Sequence, residues 1–182
     1  MLQSPQQQQN KNSNYICPQG NSPLVSGESM HSAIKFNESK FTIHAYPTRE
    51  CITKDIYSKI YRLNLRSQGI MREFLINPYS SISVSVITDA NEIDVLSWAM
   101  LIWDYQAGEP GLHVYTRMSA RGHGYGSLVA KTVLNLFYNL DNQVVWVHSE
   151  HSNHTDEQRR RSALWESLEK HFQENIKFDY LD

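Results

Sequence analysis

The sequence predicts one α/β (α+β) domain, a mixed sheet flanked by helices. Three observations lead there. Segments such as "SISVSVITD" alternate, with Ile82, Val84 and Val86 separated by serines, and period-two patterning makes a half-buried strand. Ile52, Ile56, Ile60 and Leu63 are spaced by four, four and three residues, which is the helical period. Strands and helices interleave as ββααβββαβαβ, and 182 residues suffice for one domain with a real core.

The elements follow in order. "AIKFNESKFTIHAY" reads as two short strands around the polar turn Asn37-Glu38-Ser39-Lys40. "TRECITKDIYSKIYRLNLRSQ" is helical and ends at Gly69; "IMREFLI" is a second helical piece, stopped by Asn77-Pro78. "SISVSVITD" is a strand, turned at Asp89-Ala90-Asn91-Glu92. The longer strand "IDVLSWAMLIWDYQ" is apolar on both faces, which places Trp98 and Trp103 in the core or the cleft wall and Tyr105 on an acceptor side. Gly108, Pro110 and Gly111 read as a break before the strand "LHVYTR". Beyond a glycine cluster, Leu128, Val129, Thr132, Val133, Leu136 and Phe137 fit one helical face. "QVVWVHS" is rich in β-branched residues and reads as a strand. "EQRRRSALWESLEKHF" is a helix with Leu164, Trp165 and Leu168 on one side, and "IKFDYL" is a last strand.

Composition divides the chain. Residues 1–32 contain "LQSPQQQQNKNSNY", which buries too little apolar area to offset its ordering entropy. A disordered Gln/Asn/Ser-rich tail is expected there, the alternative being a docking segment anchored by Tyr15, Ile16, Leu24 and Val25. The folded domain is expected over 33–182. The net charge of −2 points to no obligate nucleic-acid partner. Two distant cysteines, Cys17 and Cys51, make neither a disulfide framework nor a zinc-finger spacing, so a reducing, cytoplasmic setting is the default. No apolar run approaches the roughly 20 residues that span a bilayer, and the N-terminus lacks a secretory apolar core.

Chemistry concentrates in "YTRMSARGHGYGSLVAKTVLNLF", Tyr115 to Phe137. A strand ends, glycines follow behind an arginine, and a helix opens. Unpaired amides and the dipole at a helix start make an anion site. Gly122, Gly124 and Gly126 allow close backbone approach and positive φ, and Arg121 adds charge. The pattern reads as phosphate or diphosphate binding. The dinucleotide fingerprint needs G-x-G-x-x-G, whereas this chain has G-x-G-x-G. A P-loop needs its lysine earlier than Lys131.

Arg121-Gly122-His123-Gly124-Tyr125-Gly126 resembles the acetyl-CoA motif [QR]-x-x-G-x-[GA] of the GNAT superfamily of N-acetyltransferases. The resemblance extends in element order from about Phe41 to Phe172. It implies a GNAT-like acyl-CoA N-acyltransferase fold with a mostly antiparallel central sheet, and acetyl-CoA as co-substrate without a metal. It implies that the amides of Arg121, Gly122, His123, Gly124, Tyr125, Gly126 and Ser127 cradle the diphosphate. His113, Val114 and Tyr115 would pair through their backbone with the pantetheine arm, where the strand splays from "VVWVHS". A backbone N–H there would stabilise the tetrahedral oxyanion formed when the acceptor amine attacks directly.

The same resemblance asks for a base and an acid. Glu109, just before the motif strand, is the candidate general base, with Asp104, His113 and His148 as rivals. A solvated turn carboxylate is the plain alternative for Glu109. The family's acid is a tyrosine near N-x-x-A-x-x-L-Y; this chain offers Leu164-Trp165-Glu166, with Trp165 where the tyrosine falls. Indole cannot donate that proton, which leaves the acid to Tyr180, water or no side chain, and Trp165 to the core. His148, His151 and His154, near Glu150 and Asp156, read as a polar loop rather than a zinc site. Arg159, Arg160 and Arg161 read as a solvated face, or as contacts to a nucleotide phosphate, a nucleic acid or an acidic partner.

The expected function is acetyl transfer from acetyl-CoA to a primary amine of a small-molecule or protein acceptor, with neither nucleic acid nor membrane as partner and a homodimer as the assembly considered. One rival is a non-catalytic CoA-binding or interaction module of the same fold. Another is a nucleic-acid-associated protein using "RGHGYG" as a basic segment.

Overall fold

The alternating segments pair in chain order. Strands β1 (Ile34–Asn37), β2 (Phe41–Tyr46), β3 (Ser80–Asp89), β4 (Val95–Asp104) and β5 (Pro110–Thr116) form an antiparallel meander. Two parallel strands extend it, β6 (Val144–His148) beside β5 and β7 (Lys177–Leu181) beside β6, giving one seven-stranded sheet in chain order. Among the described residues three α-helices accompany it: α1 (Lys54–Tyr61), α2 (Tyr125–Phe137) between β5 and β6, and α3 (Thr155–Phe172) between β6 and β7. This computed structural model describes residues 33–63, 69, 80–104, 110–138, 144–148, 155–173 and 176–181. The expected tail over 1–32, the helical piece "IMREFLI", Tyr105 and Glu109 lie outside the described residues.

The sheet is mixed and mostly antiparallel. Parallel neighbours need a crossover, and α2 and α3 supply the two crossovers as consecutive βαβ units. Both helices share one face, where Val129, Val133, Leu134, Trp165, Leu168 and Phe172 pack with Leu101, Leu112, Val145 and Val147. The other face belongs to α1: Ile56 and Ile60 meet Val84, Val86, Trp98, Met100 and Ile102. β4 serves both layers, as its two-sided apolar pattern predicts, with Leu101 facing one core and Trp98 the other.

Three expectations are corrected. Pro110 and Gly111 do not break the chain; they are the first two residues of β5, opposite Trp103 and Ile102. A strand's first residue tolerates a missing N–H, so proline opens this one. The buried stripe of α2 is Val129, Ala130, Val133 and Leu134, rotated from the predicted face; Leu128 and Phe137 flank it half-buried. Small side chains decide this, because Ala130 and Gly126 let the helix axis approach the sheet. Finally, α1 starts after Ile52. Thr53 caps it, its Oγ1 accepting from the Ile56 amide at 3.3 Å. Removing that acceptor in Thr53→Ala is expected to cost about 1 kcal/mol in urea unfolding, with no change in the folded far-UV spectrum.

A polar cluster joins α1 to the β3–β4 turn. Glu92 sits at φ +59° there, while Asp89 Oδ1 accepts from the amides of Ile93 and Asp94, each at 2.7 Å. Glu92 pairs with Lys35, and its carbonyl accepts from Lys59 Nζ at 2.7 Å. The Nε2 of His44 lies 3.3 Å from Thr88 Oγ1 and 3.6 Å from Glu92 Oε2. Burial lowers the His44 pKa; Glu92 opposes the shift, and Lys35 and Lys59 add to it. Burial, with Glu92 and Asp55, pushes the neighbouring Tyr46 phenol up to about 12.

A histidine whose folded pKa lies below its unfolded value of 6.5 binds its proton more readily in the unfolded chain. Stability from this source is therefore complete above that value and drains away as pH falls through the lower folded one. The urea midpoint is expected to drop between about pH 7.5 and about pH 5, and His44→Gln should flatten the drop. His171, lowered by burial and then by Lys131, contributes with the same sign and leaves a residual slope.

Candidate functional site

The three glycines of the cluster meet two different requirements. Gly122 and Gly124 have φ of +84° and +76°, in the left-handed region that side chains resist. Gly126 has an ordinary φ, but a Cβ there would lie 3.0 Å from Thr116 Oγ1 and 3.6 Å from Val114 Cγ1. The first two glycines shape the loop, and the third lets α2 sit against β5.

Gly124 is the N-cap of α2, and no side chain caps the helix. Its carbonyl accepts the first helical bond, from the Leu128 amide at 3.0 Å. The amides of Tyr125, Gly126 and Ser127 precede that bond and have no acceptor within the helix. They form a compact set of donors at the positive end of a 13-residue helix.

The loop is held from several sides. A short 3-10 turn, Met118–Ala120, follows β5. The Arg117 amide donates to the Leu96 carbonyl at 2.8 Å, and the Arg117 guanidinium meets Asp94 at 3.1 Å. His123 Nδ1 lies 3.3 Å from the Ala120 carbonyl and 3.2 Å from that of Arg121. Carbonyls only accept, so this nitrogen carries the hydrogen. The His123 ring stacks on Tyr125 with centroids 5.6 Å apart, and Tyr125 meets Phe41 edge-on at 5.3 Å. Ser127 Oγ lies 2.9 Å from Ser167 Oγ on α3. The Arg121 Nε donates to the Thr116 carbonyl at 3.4 Å, bending the side chain back toward the end of β5.

β5 carries the other expected residues. Val114 packs on the α2 face, while His113 and Tyr115 turn to the α1 face. His113 is buried opposite Met100, and Tyr115 packs on Trp98 with ring centroids 6.3 Å apart. The β5–β6 ladder has two pairs, Gly111 with Trp146 and Leu112 with Val147. It does not continue to His113 and His148, although both residues are in strands. The edge from His113 to Thr116 runs on past the ladder toward the glycine loop.

The remaining candidates are placed as follows. Asp104 ends β4 and His148 ends β6. Arg159, Arg160 and Arg161 lie within α3, which starts before them at Thr155. His151, His154 and Glu150 lie outside the described residues, within which no group of three or more His, Cys, Asp or Glu side chains is arranged to hold a metal. Among the described residues no helix is long and apolar enough to cross a membrane.

Trp165 is a core residue, 8% exposed and packed on Phe178 with ring centroids 6.4 Å apart. Its Nε1 has no hydrogen-bond partner among the described residues. A buried orphan donor costs about 1–3 kcal/mol, which offsets part of the gain from packing the larger ring. Trp165→Phe is thus expected to change stability by less than about 1 kcal/mol, and Trp165→Ala to cost about 3–5 kcal/mol, read from urea midpoints.

Sequence reasoning missed the supports of the loop. Phe41, Asp94 and Ser167 come from distant positions, and no local pattern announces them. His123 sits at a position the motif leaves open, so no local pattern announces its contact with two carbonyls. Comparison with protein-family models, with curated proteins and with solved structures gave no match for this chain.

Proposed function

We propose that the chain is an acetyl-CoA-dependent N-acetyltransferase of the GNAT kind, moving an acetyl group to a primary amine. The observation that carries this reading is the strand, loop and helix from Pro110 to Phe137. Among the described residues β6 pairs with β5 only as far as Leu112, and past the end of β5 a 3-10 turn and two left-handed glycines lead to an uncapped helix start. The amides from Arg121 to Ser127 suit a diphosphate. The edge from His113 to Thr116 suits the amide groups of the pantetheine arm, which would add to it as a short strand.

In this reading the acyl carbonyl reaches the point where the ladder stops, beside His113 and His148. The acceptor amine, freed of its proton, forms the new C–N bond, and the C–S bond breaks to release the thiolate. Glu109 and His113 are the candidates for taking the amine's proton. His113 stands at the end of the ladder; Glu109 is one residue before β5. The buried indole of Trp165 cannot reprotonate the thiolate, so solvent or the protonated base does so. His113→Ala is expected to lower kcat by about 100-fold with KM for acetyl-CoA within a few-fold of wild type. An unchanged kcat would remove His113 from the reaction.

A second reading is a CoA-binding module without catalysis, favoured by Trp165 being part of the core where the family has its tyrosine. The full chain incubated with acetyl-CoA and a panel of amines separates the two. Thiol release matched by acetylated amine supports transfer. Calorimetric binding of CoA without turnover on any amine supports the module, and absence of binding contradicts both.

A further inference from the structure

An open groove of about 520 Å³ lies between α2 and α3, lined by Lys131, Ala163, Glu166, Ser167, Lys170 and His171. Among the described residues neither β5 nor β6 contributes to its lining, so it is distinct from the edge assigned to the acyl arm. Its position relative to the glycine loop is fixed by one contact. Ser167, on its wall, is hydrogen-bonded to Ser127 in the first turn of α2. Lys131 follows Ser127 by four residues on the same side of that helix. The groove thus begins about one helical turn, roughly 5.4 Å, from the open amides.

Its charge is also lopsided. Among the described residues two lysines and a histidine face one carboxylate, Glu166. Among the described residues neither Lys131 nor Lys170 is in an ion pair. Lys131 and His171 both line the groove, and the ammonium adds to the lowering of the His171 pKa by burial. Two ammonium groups, set around a hollow with a serine at its side, match a doubly charged phosphomonoester better than any neutral group.

We infer that this groove holds the 3′-phosphate of the coenzyme whose diphosphate lies on the glycine loop. The inference rests on the coenzyme reading above. One ribose separates the two phosphate groups of that nucleotide, and one helical turn separates the loop amides from Lys131. The coenzyme is then gripped at two points along α2, and discrimination between phosphorylated and dephosphorylated forms resides in α2 and α3 rather than in the loop.

Calorimetry on the full chain with CoA and with 3′-dephospho-CoA tests this. Wild type is expected to bind CoA about tenfold more tightly, from charge-assisted contacts to the phosphate. The double variant Lys131→Gln, Lys170→Gln should lose that preference while its affinity for 3′-dephospho-CoA stays the same. Glu166→Gln should strengthen CoA binding alone. Equal affinities in wild type, a preference that survives the double variant, or an equal loss for both nucleotides would each overturn the groove assignment while leaving the loop assignment standing. Binding of neither nucleotide would remove both.

Discussion

Gly124→Asp is expected to abolish CoA binding in a chain that still folds. Two effects separate cleanly at this position. Gly124 adopts φ +76°, which aspartate and asparagine tolerate better than other residues, and a Cβ there meets nothing within 4 Å. The conformational cost is therefore small. The electrostatic cost is not. An added carboxylate at the cap stands beside the amides of Tyr125 to Ser127, where the diphosphate is proposed to lie. Two unit charges about 4 Å apart repel by about 4 kcal/mol at an effective dielectric near 20. A loss of at least about 100-fold in affinity, some 2.8 kcal/mol, follows. Gly124→Asn keeps the shape without the charge and should retain binding within about tenfold. Unchanged affinity in folded Gly124→Asp would remove the loop from the coenzyme site. Equal loss in both variants would show that backbone shape, not charge, was responsible.

The second large effect concerns the fold. Trp98 is fully buried in β4, between Val86 of β3 and Tyr115 of β5, in the core that α1 covers. Trp98→Ala leaves a cavity that the paired strands on either side hinder from collapsing. A loss of about 3–5 kcal/mol is expected, against a typical domain stability of about 5–15 kcal/mol. Trp98→Phe keeps most of the volume and should cost about half as much, which provides a reading if the alanine variant does not accumulate. Urea unfolding measures both. A cost below about 1 kcal/mol for Trp98→Ala would contradict the two-layer core described for β4.

Much of this architecture was legible in the residues, for physical reasons. Ile82, Val84 and Val86 announce β3 because a pleated strand sends alternate side chains to one face. The apolar run around Trp98 announces a strand covered on both sides. Gly122 and Gly124 announce an unusual backbone path, and both have positive φ. What local patterning could not supply was anything set by distant partners. The stripe of α2 rotated because Gly126 must clear Thr116, and Ala130 turns inward with it. Pro110 fits β5 because it stands first in the strand, where a missing N–H is tolerated. The supports from Asp94, Phe41 and Ser167 depend on tertiary contacts that leave no periodic trace. Glu109 remains a reading from sequence, since it lies outside the described residues.

The central claim is that the main-chain donors at the start of α2 bind the coenzyme diphosphate. A titration of the isotopically labelled full chain with CoA, followed by amide resonances, tests it most directly. The account predicts that the amides from Gly122 to Ser127 shift furthest and in proportion to one saturating site. Saturation with those amides unmoved, while resonances elsewhere report binding, would contradict it.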